Sequence, residues 1–352
     1  MARKKREISI LDVTIRDGSY TINYQYTPAQ VAAVAAALDQ AGIDCIEVSH
    51  GCGLGAVANL RLPAAASDAE YVRAAKGAVK RAKVGVIAGA APSTQQKDID
   101  EVIDEVDFIR FAANCDNPAV VAENIKYSRR KRPNLKIFFQ LMRSTRRPKA
   151  ALLKAGRQIE DMGADLLYIV DTAGHFIPDE VGDFTSALTA KLKIAIGFHG
   201  HNNLGLAVAN TLAAVEAGAK SVDASLKGMG RAGGNAQLEA VVSLLHRRGL
   251  ARDIDLDRLL VAAEELIAPI MPPSCGINLV DVLTADANID LYPLSLYERI
   301  AEAAGIGFVE FVREMASDDA MVEAGVAEIE RALKTLGGDV ARAFAAVGIR
   351  KP

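Results

Sequence analysis

The sequence of 352 residues has no tryptophan, only 5% aromatic residues and four cysteines. Cys45, Cys52, Cys115 and Cys275 stand far apart with no CxxC pair, which argues against a disulfide framework or a cysteine-built zinc site and fits a reducing cytoplasm. Excess charge is also lacking. A net charge of −3 and a pI near 6.0 offer no broad basic field to a polyanion. Two basic runs, MARKKR at the start and RRKRP at 129–133, read as a frayed terminus and a solvated face, so no nucleic-acid partner is expected. No run of about 18 apolar residues occurs, and no apolar signal segment follows the N-terminal charges, so a soluble, unsecreted protein without membrane contact is expected. The first strand-like run is not followed by GxGxxG, which counts against a dinucleotide-binding sheet.

What is present is a rhythm. Hydrophobic residues make up 50% of the chain, ample for a large core. Eight short β-branched runs recur at 8–15, 45–49, 83–89, 108–113, 136–142, 166–172, 194–200 and 221–228, each followed by an Ala-rich segment of helical period. Thr27 and Pro28 read as the cap and first turn of one helix, and Gly42 as its stop. Eight such units in about 250 residues predict an α/β fold, a closed (β/α)8 TIM barrel, over residues 1–265. Residues 266–352, beginning in the connection IAPIMPPSCGIN, turn Ala/Glu-rich and are expected to form a C-terminal helical domain.

Active sites of such barrels lie at the C-terminal ends of the strands. The chain's unusual polar residues fall there: Arg16 and Asp17, Glu47 and His50, Asn114, Arg143, Asp171 with Thr172 and His175, His199 and His201, and Lys227 with GMGRAGGN. In FHGHNN, residues i and i+2 of an extended segment face the same way, so His199 and His201 can offer two imidazoles to one ion. Asp17, across only strand eight, can supply a carboxylate. That donor set suits a first-row divalent metal, with Mn2+, Mg2+, Fe2+, Co2+ and Zn2+ all chemically open. Arg16 can neutralise Asp17 or Glu47 as a structural ion pair, or stabilise a developing enolate; the two roles are compatible if Glu47 orients Arg16. The Gly-rich turn GMGRAGGN is either an ordinary turn or a backbone contact for a phosphate or coenzyme A, with Asn235 capping the helix or bracing the loop.

TIRDGS at 14–19, IEVSHGCGLG at 46–55, the long segment 200–239 and Tyr292 together resemble the HMG-CoA lyase-like, metal-dependent TIM-barrel lyases, and within them the 4-hydroxy-2-oxovalerate aldolases. The resemblance implies that Asp17, His199 and His201 hold Mn2+ or a similar ion, that Arg16 stabilises a pyruvate enolate and that Glu47 supports the site. It implies a carbon–carbon lyase acting on a small 2-oxo acid, with Arg16, Thr172 and Asn235 as substrate-binding residues. Where the aldolases carry a base histidine three residues after the metal aspartate, this chain has Tyr20, a proton donor at pH 7. The base is then sought in His175, in Tyr292 through a bridging water, or in His50. After about residue 300 the tail that docks an acylating aldehyde dehydrogenase is not recognisable, which speaks against that partner; the Ala-rich extension suggests a homodimer. Two alternatives stand beside the aldolase reading: a Claisen-type condensing enzyme using acyl-CoA, and an altered metal-binding barrel acting as a binding subunit.

Overall fold

β-Branched runs and Ala-rich helices alternate strictly, and the strands pair in chain order until the last meets the first. The computed structural model describes residues 8–272, 275–317 and 325–349; the MARKKR run lies outside them. Its strands are β1 (Ser9–Asp12), β2 (Cys45–Glu47), β3 (Lys83–Ala88), β4 (Phe108–Asn114), β5 (Lys136–Met142), β6 (Leu166–Asp171), β7 (Ala195–Gly200) and β8 (Ser221–Ala224), in one closed barrel. All neighbours are parallel, and β8 closes on β1 from Ser9 opposite Ser221 to Asp12 opposite Ala224. This is the expected (β/α)8 architecture.

Local chemistry sets the helix ends. The helix Pro28–Ala41 starts at Thr27, whose hydroxyl accepts from Gln30 N while the Gln30 side chain accepts from Thr27 N, and it ends at Gly42 with φ 92°. Three strands are shorter than their apolar runs suggest: β1 stops at Asp12, β2 at Glu47 and β8 at Ala224. In β1 the reason is visible. The buried Asp12 carboxyl group accepts from Thr14 N at 2.9 Å and Thr14 Oγ1 at 2.8 Å, and the Asp17 and Gly18 amides then fold back onto the Val13 carbonyl. The chain coils into a 3-10 turn, Asp17–Ile22, instead of extending.

Alternate strand residues fill the lumen. Near its base, Phe108 stacks on Phe138 with centroids 4.7 Å apart, and Tyr168 donates or accepts at Ser221 Oγ, 2.8 Å away. Gly85 and Gly197 make this layer possible, since a Cβ at either would lie within 2.6 Å of the Phe108 or Tyr168 ring. Above the layer sits Arg110.

Among the described residues no strand follows β8, and the regular elements after it are helices. The stretch Leu256–Ala262 continues into a wider turn, Ala263–Ile267, and the helices Leu279–Asp286, Leu294–Ala304, Phe308–Ala316, Val326–Thr335 and Val340–Val347 follow. The last five of these helices share a separate apolar cluster that includes Ile300, Phe311, Leu333 and Phe344, whereas Leu259 and Ile267 belong to the barrel core. The segment after the first of these five helices returns to the barrel mouth, where Arg146 Nη1 donates to Asn288 O at 2.6 Å and Thr145 Oγ1 to Asn288 Oδ1 at 2.7 Å. That return delivers Asp290 and Tyr292 to the site.

Candidate active site

A cavity of 930 Å3 opens at the C-terminal end of the barrel, and Arg16, Asp17, Tyr20, Thr172, His199, His201 and Tyr292 all line it. Asp17, His199 and His201 offer ligand atoms within 4.8 Å of one another, and all three side chains are buried. The 3-10 turn after β1 presents Asp17, while β7 and the residue just past it present the histidines.

The donors are prepared for a cation. His199 Nδ1 lies 2.9 Å from Asp223 Oδ2. Burial opposes ionisation of Asp223, but Arg110 and this imidazole hold its carboxyl below the usual range, so it accepts and the Nδ1–H donates. Nε2 of His199 is thereby left as its lone-pair nitrogen. Burial pushes His201 down to about 3, outweighing the opposite pull of Asp17, so that ring is neutral near pH 7. Its Nδ1 is buried with no hydrogen-bond partner among the described residues. Asp17 is buried too, yet Arg16, helped by the Asn235 hydrogen bond, holds it ionised. One of its oxygens accepts from Arg16 Nη1 at 2.5 Å and the other from Asn235 Nδ2 at 2.8 Å, each keeping a further lone pair. An orphaned imidazole nitrogen, an oriented imidazole and an ionised carboxylate fit a divalent metal ion.

Beneath them runs an ion network. Arg16 Nε donates to Glu47 Oε1 at 2.5 Å, so Arg16 pairs with both Asp17 and Glu47, while its Nη2 is buried without a partner among the described residues. Glu47 in turn receives Arg110 Nε at 2.6 Å and Nη2 at 2.7 Å, and Arg110 Nη1 reaches Asp223 Oδ2 at 2.5 Å. β4 does not adjoin β8, so this last bond crosses the lumen. Arg110 and Asp223 are not among the residues that the sequence singles out; each sits mid-run in a strand, and its only signal is a charge at an inward-alternating position.

Other expected residues take distinct places. Tyr20 OH lies 3.3 Å from Cys52 Sγ, and its ring meets Tyr24 and Tyr292 edge-on, each at 5.2 Å. Burial raises its pKa well above 10. Tyr292 OH bonds to Tyr24 OH. Thr172 Oγ1 accepts from Arg143 N at 2.8 Å. Asn235 acts on Asp17 and does not line the cavity. His175 also lies outside the lining; its Nδ1–H donates to Ala285 O at 2.7 Å, tying the barrel to the helical extension. His50 braces its own loop, with Nε2 donating to Pro63 O and Nδ1 accepting from Cys52 N, both at 3.0 Å. In GMGRAGGN the amides of Gly228, Met229, Gly233, Gly234 and Asn235 are occupied by contacts within the protein, and the loop's contribution to the cavity is the Arg231 side chain. In the basic run at 129–133, Arg129 and Arg132 hold backbone carbonyls such as Leu135 O and Val106 O.

Fold and site define a class: a (β/α)8 enzyme with an Asp-His-His group at the C-terminal mouth of its barrel. Residues 7–267 match the HMGL-like family model. A relative from Mycobacterium tuberculosis, an oxaloacetate decarboxylase, is 36% identical over 320 residues, covering 91% of this chain and 94% of that protein. A 4-hydroxy-2-oxovalerate aldolase from Geobacillus thermodenitrificans is 40% identical over 269 residues, covering 76% and 78%. Among solved structures, the carboxyl transferase domain from Rhizobium etli pyruvate carboxylase with pyruvate superposes with a TM-score of 0.69 at 18% identity, covering 95% of this chain and 61% of that one, a likeness of fold. The chain belongs to the HMGL-like family of metal-dependent lyases and is a carbon–carbon lyase. No helix among the described residues is long and apolar enough to cross a membrane.

Proposed function

We propose that the protein cleaves or forms the carbon–carbon bond of a 4-hydroxy-2-oxo acid through a pyruvate-like enolate. The observation that carries this reading is the buried Asp17, His199 and His201 group with Arg16 bonded beside it in one cavity. A divalent ion held by those three residues supplies Lewis acidity toward the keto and carboxylate oxygens of the substrate, and the nitrogen and carboxylate donors suit Mn2+ first, with Mg2+, Co2+ or Zn2+ as alternatives. Arg16 adds a fixed positive charge and a buried N–H that can donate to an enolate oxygen. Glu47 holds Arg16 in place, and Asn235 holds Asp17. Tyr20 keeps its proton at pH 7 and can deliver it to the enolate carbon or share it with the 4-oxygen. Tyr292, through Tyr24, extends that hydroxyl cluster toward solvent, and Thr172 borders the bound acid.

A second reading is favoured by Tyr20 and by the Mycobacterium tuberculosis relative's name. Departure of carbon dioxide from a 3-carboxylated 2-oxo acid leaves the same enolate and needs no base at a 4-hydroxyl. In both readings residues 1–265 are the catalytic barrel and 266–352 a helical domain that supplies one wall. The separated free cysteines support a cytoplasmic location, and the exposed Leu279 and Val282 support a homodimer.

The test is deuterium exchange into the methyl group of pyruvate. Metal-loaded protein is expected to catalyse it, and Asp17→Asn and His199→Ala are expected to lose bound metal, read by elemental analysis, together with exchange. Silence of the loaded protein across a panel of 2-oxo acids overturns the reading, and full metal retention in both variants removes the ligand assignment.

A further inference from the structure

The floor of the cavity is not its only charged surface. Arg143, at the end of β5, and Arg231, in the loop after β8, both line the wall and converge on one carboxylate, Asp290. Arg143 Nη2 is 3.8 Å from Asp290 Oδ2, and Arg231 Nη1 bonds to Asp290 Oδ1. Arg231 also donates to Thr172 O at 3.4 Å and lies over the Tyr292 ring at 5.7 Å, beside the Tyr20–Tyr292 pair that lines the same cavity as Asp17 and His201. Arg143 lies in the left-handed region at φ 59°, uncommon for a residue with a Cβ, with its amide on Thr172 Oγ1, and its side chain lines the cavity.

We infer that Arg143 and Arg231 form a carboxylate subsite for the half of the substrate beyond the scissile bond, so that the aldehyde released or added is itself an acid, as in glyoxylate. The inference rests on the aldolase reading above and names its substrate class: 4-hydroxy-2-oxo dicarboxylic acids. In the synthetic direction pyruvate loses a proton from C3, that carbon bonds to the aldehyde carbon of glyoxylate, and the former carbonyl oxygen takes up a proton as the 4-hydroxyl; nothing is oxidised or reduced. The planar guanidinium of Arg231, held by Asp290 and Thr172 O, can donate its remaining N–H groups to the far carboxylate in a fixed direction that lysine cannot reproduce.

The experiment measures aldol addition of pyruvate to glyoxylate and to acetaldehyde. Wild-type protein is expected to prefer glyoxylate in kcat/KM, and Arg231→Leu to lower that preference roughly 30-fold, the loss of one charge-assisted pair. Asp290→Asn, which removes the competing carboxylate, is expected to lower KM for glyoxylate, so the inference has a second variant of opposite sign should Arg231→Leu fold poorly. Glyoxylate binding to metal-loaded protein with oxalate in the pyruvate position, followed by calorimetry, gives a readout apart from turnover. Equal use of the two aldehydes by wild type, or an unchanged preference in Arg231→Leu with unchanged glyoxylate KM in Asp290→Asn, overturns the subsite. Pyruvate exchange in wild-type protein reports separately on the reading beneath it.

Discussion

Arg110 and Arg231 serve the same cavity from opposite sides. Arg110 rises from the middle of a strand, is wholly buried, and satisfies two carboxylates that reach it across the lumen. Arg231 hangs from a loop, its side chain is 16% exposed, and it shares one carboxylate with Arg143. The floor is thus a closed network on rigid strands, whereas the wall is a looser set of side chains from loops and the returning C-terminal segment. A floor of that kind keeps metal ligands and Arg16 in one geometry. A wall of that kind can be altered to change which substrate tail is accepted while the chemistry beneath it stays the same.

The sharpest way to break this contrast is Arg110→Met. It leaves Glu47 and Asp223 buried without their shared cation, and a loss of about 3–5 kcal/mol is expected in urea unfolding. A variant as stable as wild type would show that the floor network is not held by Arg110. Next in size is a pH effect at Asp12, also in the floor. Burial, aided by Glu239 and Asp223, pushes its pKa up to about 7 against the bonds from Thr14. The folded state therefore favours the protonated acid: its contribution is fully present below the unfolded pKa near 4 and is lost as pH rises through about 7. Between pH 5 and pH 8, wild type should lose roughly 2–3 kcal/mol relative to Asp12→Asn. A constant difference between the two proteins over that range would rule the linkage out. The smallest effect belongs to the wall. Tyr292 is 41% exposed, and Tyr292→Phe, which removes its bond to Tyr24, should cost about 1 kcal/mol or less in thermal unfolding. A floor-sized loss there would erase the distinction between the regions.

Much of the site could be read in sequence because the barrel puts function at strand ends, and strand ends are visible as apolar runs stopping at polar residues. The grouping of Asp17, His199 and His201 was legible on that basis, as was an ion pair of Arg16 with Asp17 or Glu47; that Arg16 bonds to both is shown only by the structure. Strand lengths were less so. Thr14 and Ile15 look like strand residues, but the Asp12 side chain competes for the local amides and turns the chain early. Arg110 and Asp223 were hidden because a charge inside an apolar run is uninformative until the opposite strand is known. His175 shows the converse: its position after β6 resembled a catalytic one, yet its imidazole holds the Ala285 carbonyl.

By itself the sequence determined the eightfold alternation of strand and helix, and with it the face on which the chemistry lies, because both follow from side-chain periodicity and local capping. It also determined the donor types at Asp17, His199 and His201. Closure of the barrel decided the rest. Only when β8 meets β1 do Arg110, Glu47 and Asp223 come within hydrogen-bonding distance across the lumen, and only when the extension folds back does Asp290 meet Arg143 and Arg231. Those contacts join residues more than 50 positions apart, and no local pattern encodes them.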